Sequence, residues 1–234
     1  MKPLTAPVAE IFTSIQGEGL YCGQKQVFLR FAGCNLACAY CDEPAAAKGA
    51  SAAEMSVKET AAEVLRQVRK SRARAVSLTG GEPLLYWKFI RALAPALKKA
   101  GLAVHLETNG TLYRELEKLK GLVTVIAADI KLPSSTRGKA FWAEHARFLA
   151  AAPEKTFVKV VLISRTSLAD VKKAVALAAG VRPDIPFFLQ PATARRGGVK
   201  PPRGEFMEKA CCWAAARLSR VKVLPQQHPV WGIK

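Results

Sequence analysis

The chain has 234 residues, half of them apolar, and 36 Lys and Arg stand against 18 Asp and Glu, a formal net charge of +18. That length buries one ordinary core, and the composition excludes a disordered tail or a collagen-like repeat. No apolar run approaches the roughly 20 residues that span a bilayer. Met1 to Glu10 also lacks the basic start and apolar stretch of a signal peptide, so a cytoplasmic protein is expected. The six cysteines then stay reduced, as metal ligands or core residues.

The basic residues concentrate at Arg66, Arg69, Lys70, Arg72 and Arg74, and again at Arg195, Arg196, Lys200 and Arg203. Such charge suits nucleic acid, small anions or acidic proteins. No aromatic-interleaved RNA-binding signature accompanies it, so most of it is expected on a solvated surface.

In chain order, Glu10 to Ile15 predicts a short strand, and Gln16-Gly17-Glu18-Gly19 a loop where backbone can approach a ligand. Val27 to Phe31 predicts a buried strand. Arg30 within it is expensive unless it meets an anion. Cys34, Cys38 and Cys41 follow, spaced C-x3-C-x2-C. Glu43 to Met55, rich in Ala, predicts a flexible connection. Ser56 and Glu59 match a capping box ahead of the helical stripe Val57, Ala61, Val64, Leu65 and Val68.

A strand over 75–78 runs into Thr79-Gly80-Gly81-Glu82-Pro83. A helix over 84–100 contains Pro95, which should kink or restart it. Further strands are predicted at 102–107, 122–128, 157–163, 185–189 and 221–224, and helices at 112–119, 167–179 and 205–219. This alternation predicts an α/β fold of parallel strands joined by right-handed crossovers. Arg30, the cysteines, Gly80 to Glu82, Asn109, Asp129, Lys131, Gln190 and Gln226 all fall at or just past C-terminal strand ends. In α/β folds ligands bind at that rim. Neither a repeat nor a linker divides the chain, so residues 1–234 are expected to form one domain.

Three cysteines cannot all pair with one another. A closed zinc site or a fully ligated iron–sulfur cluster takes four protein ligands, so three suggest a cluster with one open iron. A zinc site completed by a distant histidine is the alternative, with only His105, His145 and His228 to complete it. The spacing, with Tyr40 before the third cysteine and Gly80-Gly81-Glu82-Pro83 after the next strand, resembles the radical S-adenosylmethionine (SAM) superfamily. Five further stretches narrow the resemblance. They are Glu10-Ile11-Phe12, Ile15-Gln16-Gly17-Glu18-Gly19, Phe28-x-Arg30-x-x-Gly33-Cys34, the run from Ile185 to Gln190, and Val223 to Gly232 with Gln226, His228 and Trp231. Together, in this order, they look like the 7-carboxy-7-deazaguanine synthases.

The resemblance implies a partial, open (β/α) barrel with its active site at the C-terminal strand ends. It also implies a [4Fe–4S] cluster on Cys34, Cys38 and Cys41, SAM, and magnesium. The reaction implied is the ring contraction of 6-carboxy-5,6,7,8-tetrahydropterin to 7-carboxy-7-deazaguanine with loss of ammonia, on the route to queuosine and related 7-deazapurines. Substrate contacts are expected from Ile15, Gln16, Gly17, Glu18, Arg30, Thr79, Gln226 and His228. Cofactor contacts are expected from Tyr40, Gly80, Gly81, Glu82, Asn109, Asp129, Ile130 and Lys131. Two positions depart from the family pattern. Glu43 stands where Ser or Thr usually donates an oxygen to magnesium, and Asp129-Ile130-Lys131 replaces the common Ser-Pro-Lys.

An acidic flavodoxin or ferredoxin is the expected reductant, drawn by the basic surface. The oligomeric state is left open, with a homodimer as one option. Cys22, Cys211 and Cys212 are not needed; packing accounts for one of the adjacent pair and chance for the other. A glycyl-radical activase is the rival enzyme, but it leaves the Gln-Gly-Glu-Gly loop and the Gln-Gln-His ending unexplained. A basic metal module binding RNA is the rival that is not an enzyme.

Overall fold

A computed structural model describes residues 3–49, 52–194 and 198–233. The basic pair Arg195 and Arg196 lies outside the described residues. The chain runs β1 (Thr5–Ile15), β2 (Lys25–Phe31), α1 (Pro44–Ala47), β3 (Ala53–Ser56), α2 (Val57–Ser71), β4 (Ala75–Gly80), α3 (Trp87–Lys99) and β5 (Ala103–Thr108). It continues as α4 (Tyr113–Glu117), β6 (Val125–Asp129), α5 (Pro133–Thr136), α6 (Trp142–Ala151), β7 (Thr156–Leu162), α7 (Leu168–Val181), β8 (Phe187–Pro191), α8 (Gly204–Ala215), β9 (Val221–Val223) and α9 (His228–Trp231).

These strands form one sheet in the order β3-β1-β2-β4-β5-β6-β7-β8-β9. From β2 to β9 every neighbouring pair is parallel. β3 and β9 end the order, so the sheet curls without closing: a partial, open (β/α) barrel. No helix among the described residues is long and apolar enough to cross a membrane.

Alternation along the strands decides what each face does. Val27, Leu29 and Phe31, Val76 and Leu78, Val104 and Leu106, Ile126 and Ala128, Val158, Val160 and Leu162, and Phe187 and Leu189 share one core cluster with the helices' apolar stripes. Side chains two apart share a face, so the residues between these point to the other side. There Val125, Ala127, Phe157 and Phe188 form a separate apolar cluster. Arg30, Thr79, Glu107, Asp129, Lys159 and Gln190 occupy the same inner face nearer the strand ends.

Three expectations need correction. β1 is antiparallel to β2, because a connection of nine residues, 16–24, closes a hairpin, whereas a parallel crossover needs a dozen or more. The stretch from Glu43 to Met55 contains α1 and β3 among its described residues. Pro44 at the first helical turn and three alanines favour the helix, and β3 exists because β1 offers it an edge, pairing Thr5 with Ser56 through Val8 with Ala53. Helix α3 does not restart at Pro95 but runs on through it. Pro95 and Arg91, whose carbonyl loses its partner, are both exposed, so water can serve the freed oxygen.

The capping box is present: Ser56 Oγ accepts from Glu59 N at 3.3 Å while Ser56 N donates to Glu59 Oε2 at 2.8 Å. Helices α5 and α6 lie in a stretch for which the sequence pattern carries no prediction.

Candidate active site

A cavity of about 390 Å³ opens at the C-terminal ends of the parallel strands. The cysteine loop forms one wall, directly after β2. Gly33, at φ +87°, turns the chain there, and its N–H donates to Ala46 O of α1 at 2.8 Å. Tyr86 Oη donates to Ala32 O at 2.6 Å, and Ala39 N to Thr136 O at 3.0 Å. The two glycines ending β4 let this loop approach. A Cβ on Gly80 would stand 2.1 Å from Phe31 O, and one on Gly81 2.0 Å from Gly33 O.

Cys34, Cys38 and Cys41 are free, half-buried thiols that all line the cavity. Burial pushes all three up in pKa, Cys38 to about 11, against the charge of Lys131. A coordinated iron reverses that balance, because a metal-bound thiol is deprotonated outright. Among the described residues no three His, Cys, Asp or Glu side chains gather round a single-ion position. A cluster takes each thiolate on a different iron and so accepts a wider spread than one zinc ion does. Three soft donors on one loop, facing one cavity, fit such a cluster.

Opposite the cysteines stands a buried ionic network. Lys159, a lone charge inside β7, donates to Glu18 Oε2. Gln226 Nε2 donates to Glu18 Oε1 at 2.8 Å and Gln190 Nε2 to the same oxygen at 3.1 Å. Burial alone would raise the Glu18 pKa, but Lys159, the bond from Gln226 and the neighbouring His228 outweigh it and hold the carboxyl at about 2. Burial would likewise lower Lys159; Glu18, Asp129 and Glu107 hold it above its ordinary range instead. Arg30 pairs with Glu43, Nη1 to Oε1 at 2.6 Å, and lies over the Phe12 ring at 5.4 Å from its centre.

Between these walls Lys131 bonds Asp129 at 2.7 Å and the Tyr40 hydroxyl at 3.3 Å. Its backbone N–H donates to His145 Nε2 at 3.1 Å. Asn109 lines the cavity with its side chain engaged: Nδ2 donates to Asn35 Oδ1 at 2.8 Å, and Oδ1 accepts from Thr111 Oγ1 at 2.6 Å.

The Radical SAM superfamily model matches residues 29–177, which span the cysteine loop, the glycine turn, Asn109 and Lys131. A 7-carboxy-7-deazaguanine synthase of Geobacter sulfurreducens is 36% identical, over 97% of this chain and 97% of its own length. One from Methanopyrus kandleri is 35% identical over 94% and 91%, and one from Aquifex aeolicus 32% over 96% and 93%.

The chain belongs to the 7-carboxy-7-deazaguanine synthase family.

In fold it is similar to QueE from Escherichia coli, with a TM-score of 0.63 and 22% identity over 94% of this chain and 93% of that one. A radical SAM methyltransferase from Sphaerobacter thermophilus gives 0.67 at 17% identity, over 86% and 66%. Membership of the radical SAM superfamily implies a [4Fe–4S] cluster and SAM.

Within this synthase fold the residues expected at the site come together, and all but two line the cavity. Ile130 is buried in the core behind Asp129 and Lys131. Glu82 lies fully buried beneath the site, accepting from Leu84 N, Thr108 Oγ1 and Asn109 N at 3.0, 2.9 and 2.8 Å. Burial raises its pKa to about 7 against the pull of those donors.

The C-terminal segment is docked, with Trp231 41% exposed. Gln227 N donates to Gly17 O at 2.9 Å, Gln226 reaches both Glu18 and Asp42, and His228 packs where a Cβ on Gly17 would clash.

Sequence reading missed Glu107 and Lys159. Glu107 takes Gln16 Nε2 and Ser77 Oγ at 2.7 Å on one oxygen and Thr79 Oγ1 at 3.0 Å on the other. The reasoning that singled out Arg30, a charge inside an apolar strand, applies equally to Lys159. Of the other cysteines, Cys211 packs half-buried on the core while Cys212 is exposed.

Proposed function

We propose that this chain is itself a 7-carboxy-7-deazaguanine synthase, a radical SAM lyase contracting 6-carboxy-5,6,7,8-tetrahydropterin to 7-carboxy-7-deazaguanine with release of ammonia. One observation carries this reading: Arg30, the Gln16-Gly17-Glu18 loop and the three cysteines share the walls of a single cavity. When bound on Cys34, Cys38 and Cys41, the cluster with SAM supplies the abstraction of a hydrogen atom from substrate carbon.

The chain's own residues bind and orient. Arg30 offers a planar fork to the substrate carboxylate. Glu18, held ionised, is acceptor-only and takes the pterin's amino hydrogens. Ile15, Gln16, Gly17 and Thr79 line the edge of the ring, while Gln226 and His228 close over it and exclude water. Tyr40, on the cavity wall, would flank the adenine of SAM. Gly80 and Gly81 would hold the methionine end of SAM, with Glu82 bracing Asn109 from below. Asp129 and Lys131, backed by Ile130, face the cofactor. Glu43 gives magnesium an oxygen, as a carboxylate does well. The whole chain acts as one radical SAM domain in the cytoplasm, reduced by an acidic flavodoxin or ferredoxin. A homodimer is tested by light scattering of the purified protein.

The deciding assay combines cluster-reconstituted protein, SAM, magnesium, a reductant and the carboxytetrahydropterin. Product of the mass of 7-carboxy-7-deazaguanine is expected. SAM cleavage without that product would overturn the reading.

A further inference from the structure

Arg30 already has an anion. Its side chain is 15% exposed and that of Glu43 is 45% exposed. The guanidinium lies over the Phe12 ring, and its Nε finds no acceptor among the described residues. A guanidinium so far out of water is costly without a counter-ion, and Glu43 supplies one before substrate arrives. Glu43 is built to do this reversibly. It stands at the start of α1, outside any strand, lines the same cavity, and is the more solvated partner of the pair.

We infer that Glu43 is an internal counter-ion for Arg30 that the substrate's carboxylate displaces, so that Glu43 sets how strongly a ligand must bind before it captures Arg30. This inference rests on the activity proposed above, because it takes the substrate carboxylate to be Arg30's ligand. The physical consequence is selective. A stray small carboxylate offers Arg30 no more than Glu43 already does, and Glu43 has the advantage of being tethered. A pterin carboxylate brings the additional contacts of its ring to the Gln16–Glu18 loop and can afford the exchange. Without magnesium, Glu43 therefore acts on substrate binding through Arg30, which separates this role from plain repulsion between Glu43 and the incoming anion.

The test is a double-mutant cycle read by anaerobic calorimetry. Cluster-reconstituted protein with SAM is titrated with 6-carboxy-5,6,7,8-tetrahydropterin without reductant or magnesium, so nothing turns over. Iron content checks each variant. Glu43→Gln is expected to bind about tenfold tighter than wild type, Arg30→Ala at least about tenfold weaker, and the double variant like Arg30→Ala. If Arg30→Ala fails to hold its cluster, Arg30→Gln takes its place. Unchanged or weaker binding by Glu43→Gln overturns the inference, as does the same tightening in the Arg30-substituted background. Both outcomes leave the proposed activity standing. Absence of binding by wild type overturns the activity and the inference together.

Discussion

Glu18 and Lys159 face each other across the barrel with side chains 16% and 9% exposed. Two charges taken so far out of water depend on each other: removing one strands the other. Lys159→Met is therefore expected to destabilise the protein by about 3–5 kcal/mol in urea unfolding, and Glu18→Gln added to it should recover part of that loss. A full loss in the double variant would show that packing of Lys159, and not its charge, carries the effect. Glu43 poses a different choice, because a carboxylate whose charge is taken up by a cation holds Arg30 less strongly. Magnesium drawing Glu43 away should free Arg30 for the substrate, and linkage makes the effect reciprocal. Magnesium is thus expected to lower the substrate Kd in wild type and to leave Glu43→Gln unchanged; titrations with and without the metal decide it.

At the level of elements, the site depends on how closely the end of β4 lies against the loop after β2. Gly81 has no room for a methyl group, its Cβ position being 2.0 Å from Gly33 O. Backbone cannot yield as a flexible side-chain end can, so Gly81→Ala must push the glycine turn off the cysteine loop. A loss of roughly 3 kcal/mol is expected in urea unfolding, together with low iron per chain after reconstitution. Gly121, with nothing within 4 Å of its Cβ position, is the control; Gly121→Ala should stay within about 0.5 kcal/mol of wild type. Equal effects at both positions would mean the close approach is not what matters.

Across the molecule, buried groups pull in opposite directions as pH falls: Glu82, raised to about 7, gains stability on protonation between pH 7 and 4.5, whereas His145 and Glu18 lose it. Burial, with help from Lys131, holds His145 down at about 4 against an ordinary 6.5. The unfolded chain therefore takes up a proton at higher pH than the folded one does. His145 contributes its full stability above pH 6.5 and loses it as pH falls through 4, roughly 3 kcal/mol in all at about 1.4 kcal/mol per pH unit. Glu18, held at about 2 against 4.5, adds a second loss below pH 4.5. His145→Gln should leave the Glu82 gain unopposed, so that the urea midpoint at pH 5 rises relative to pH 7 more than in wild type, and should leave the part below pH 4 unchanged.

The surface charge divides by position. Arg72, Arg74 and Arg220 are exposed in turns leading into strands, and Lys98 and Lys99 are exposed in the last turn of α3, all at the end remote from the cavity. Arg137 and Lys139 are exposed just past Thr136, whose carbonyl accepts from Ala39 of the cysteine loop. If an acidic flavodoxin delivers the electron, it is expected to meet the second group. Arg137→Glu with Lys139→Glu should slow reduction by flavodoxin about tenfold or more at low salt, while reduction by dithionite should not change. Stopped-flow bleaching of the cluster measures both.

The sequence by itself determined the local chemistry. Cysteine spacing, the glycine turn, the polar groups at strand ends and the capping box at Ser56 are each legible within a few residues, because turn geometry and side-chain periodicity are local properties. The tertiary structure decided who meets whom. That Glu107 serves Gln16 and Thr79, that Lys159 neutralises Glu18 from 141 residues away, and that Glu43 reaches Arg30 all depend on strand order and register. β3 is a strand only because β1 supplies its hydrogen bonds, and β1 runs against its neighbour because a short loop can close no other way. A buried charge announces from the sequence that it needs a partner; only the folded sheet says which one.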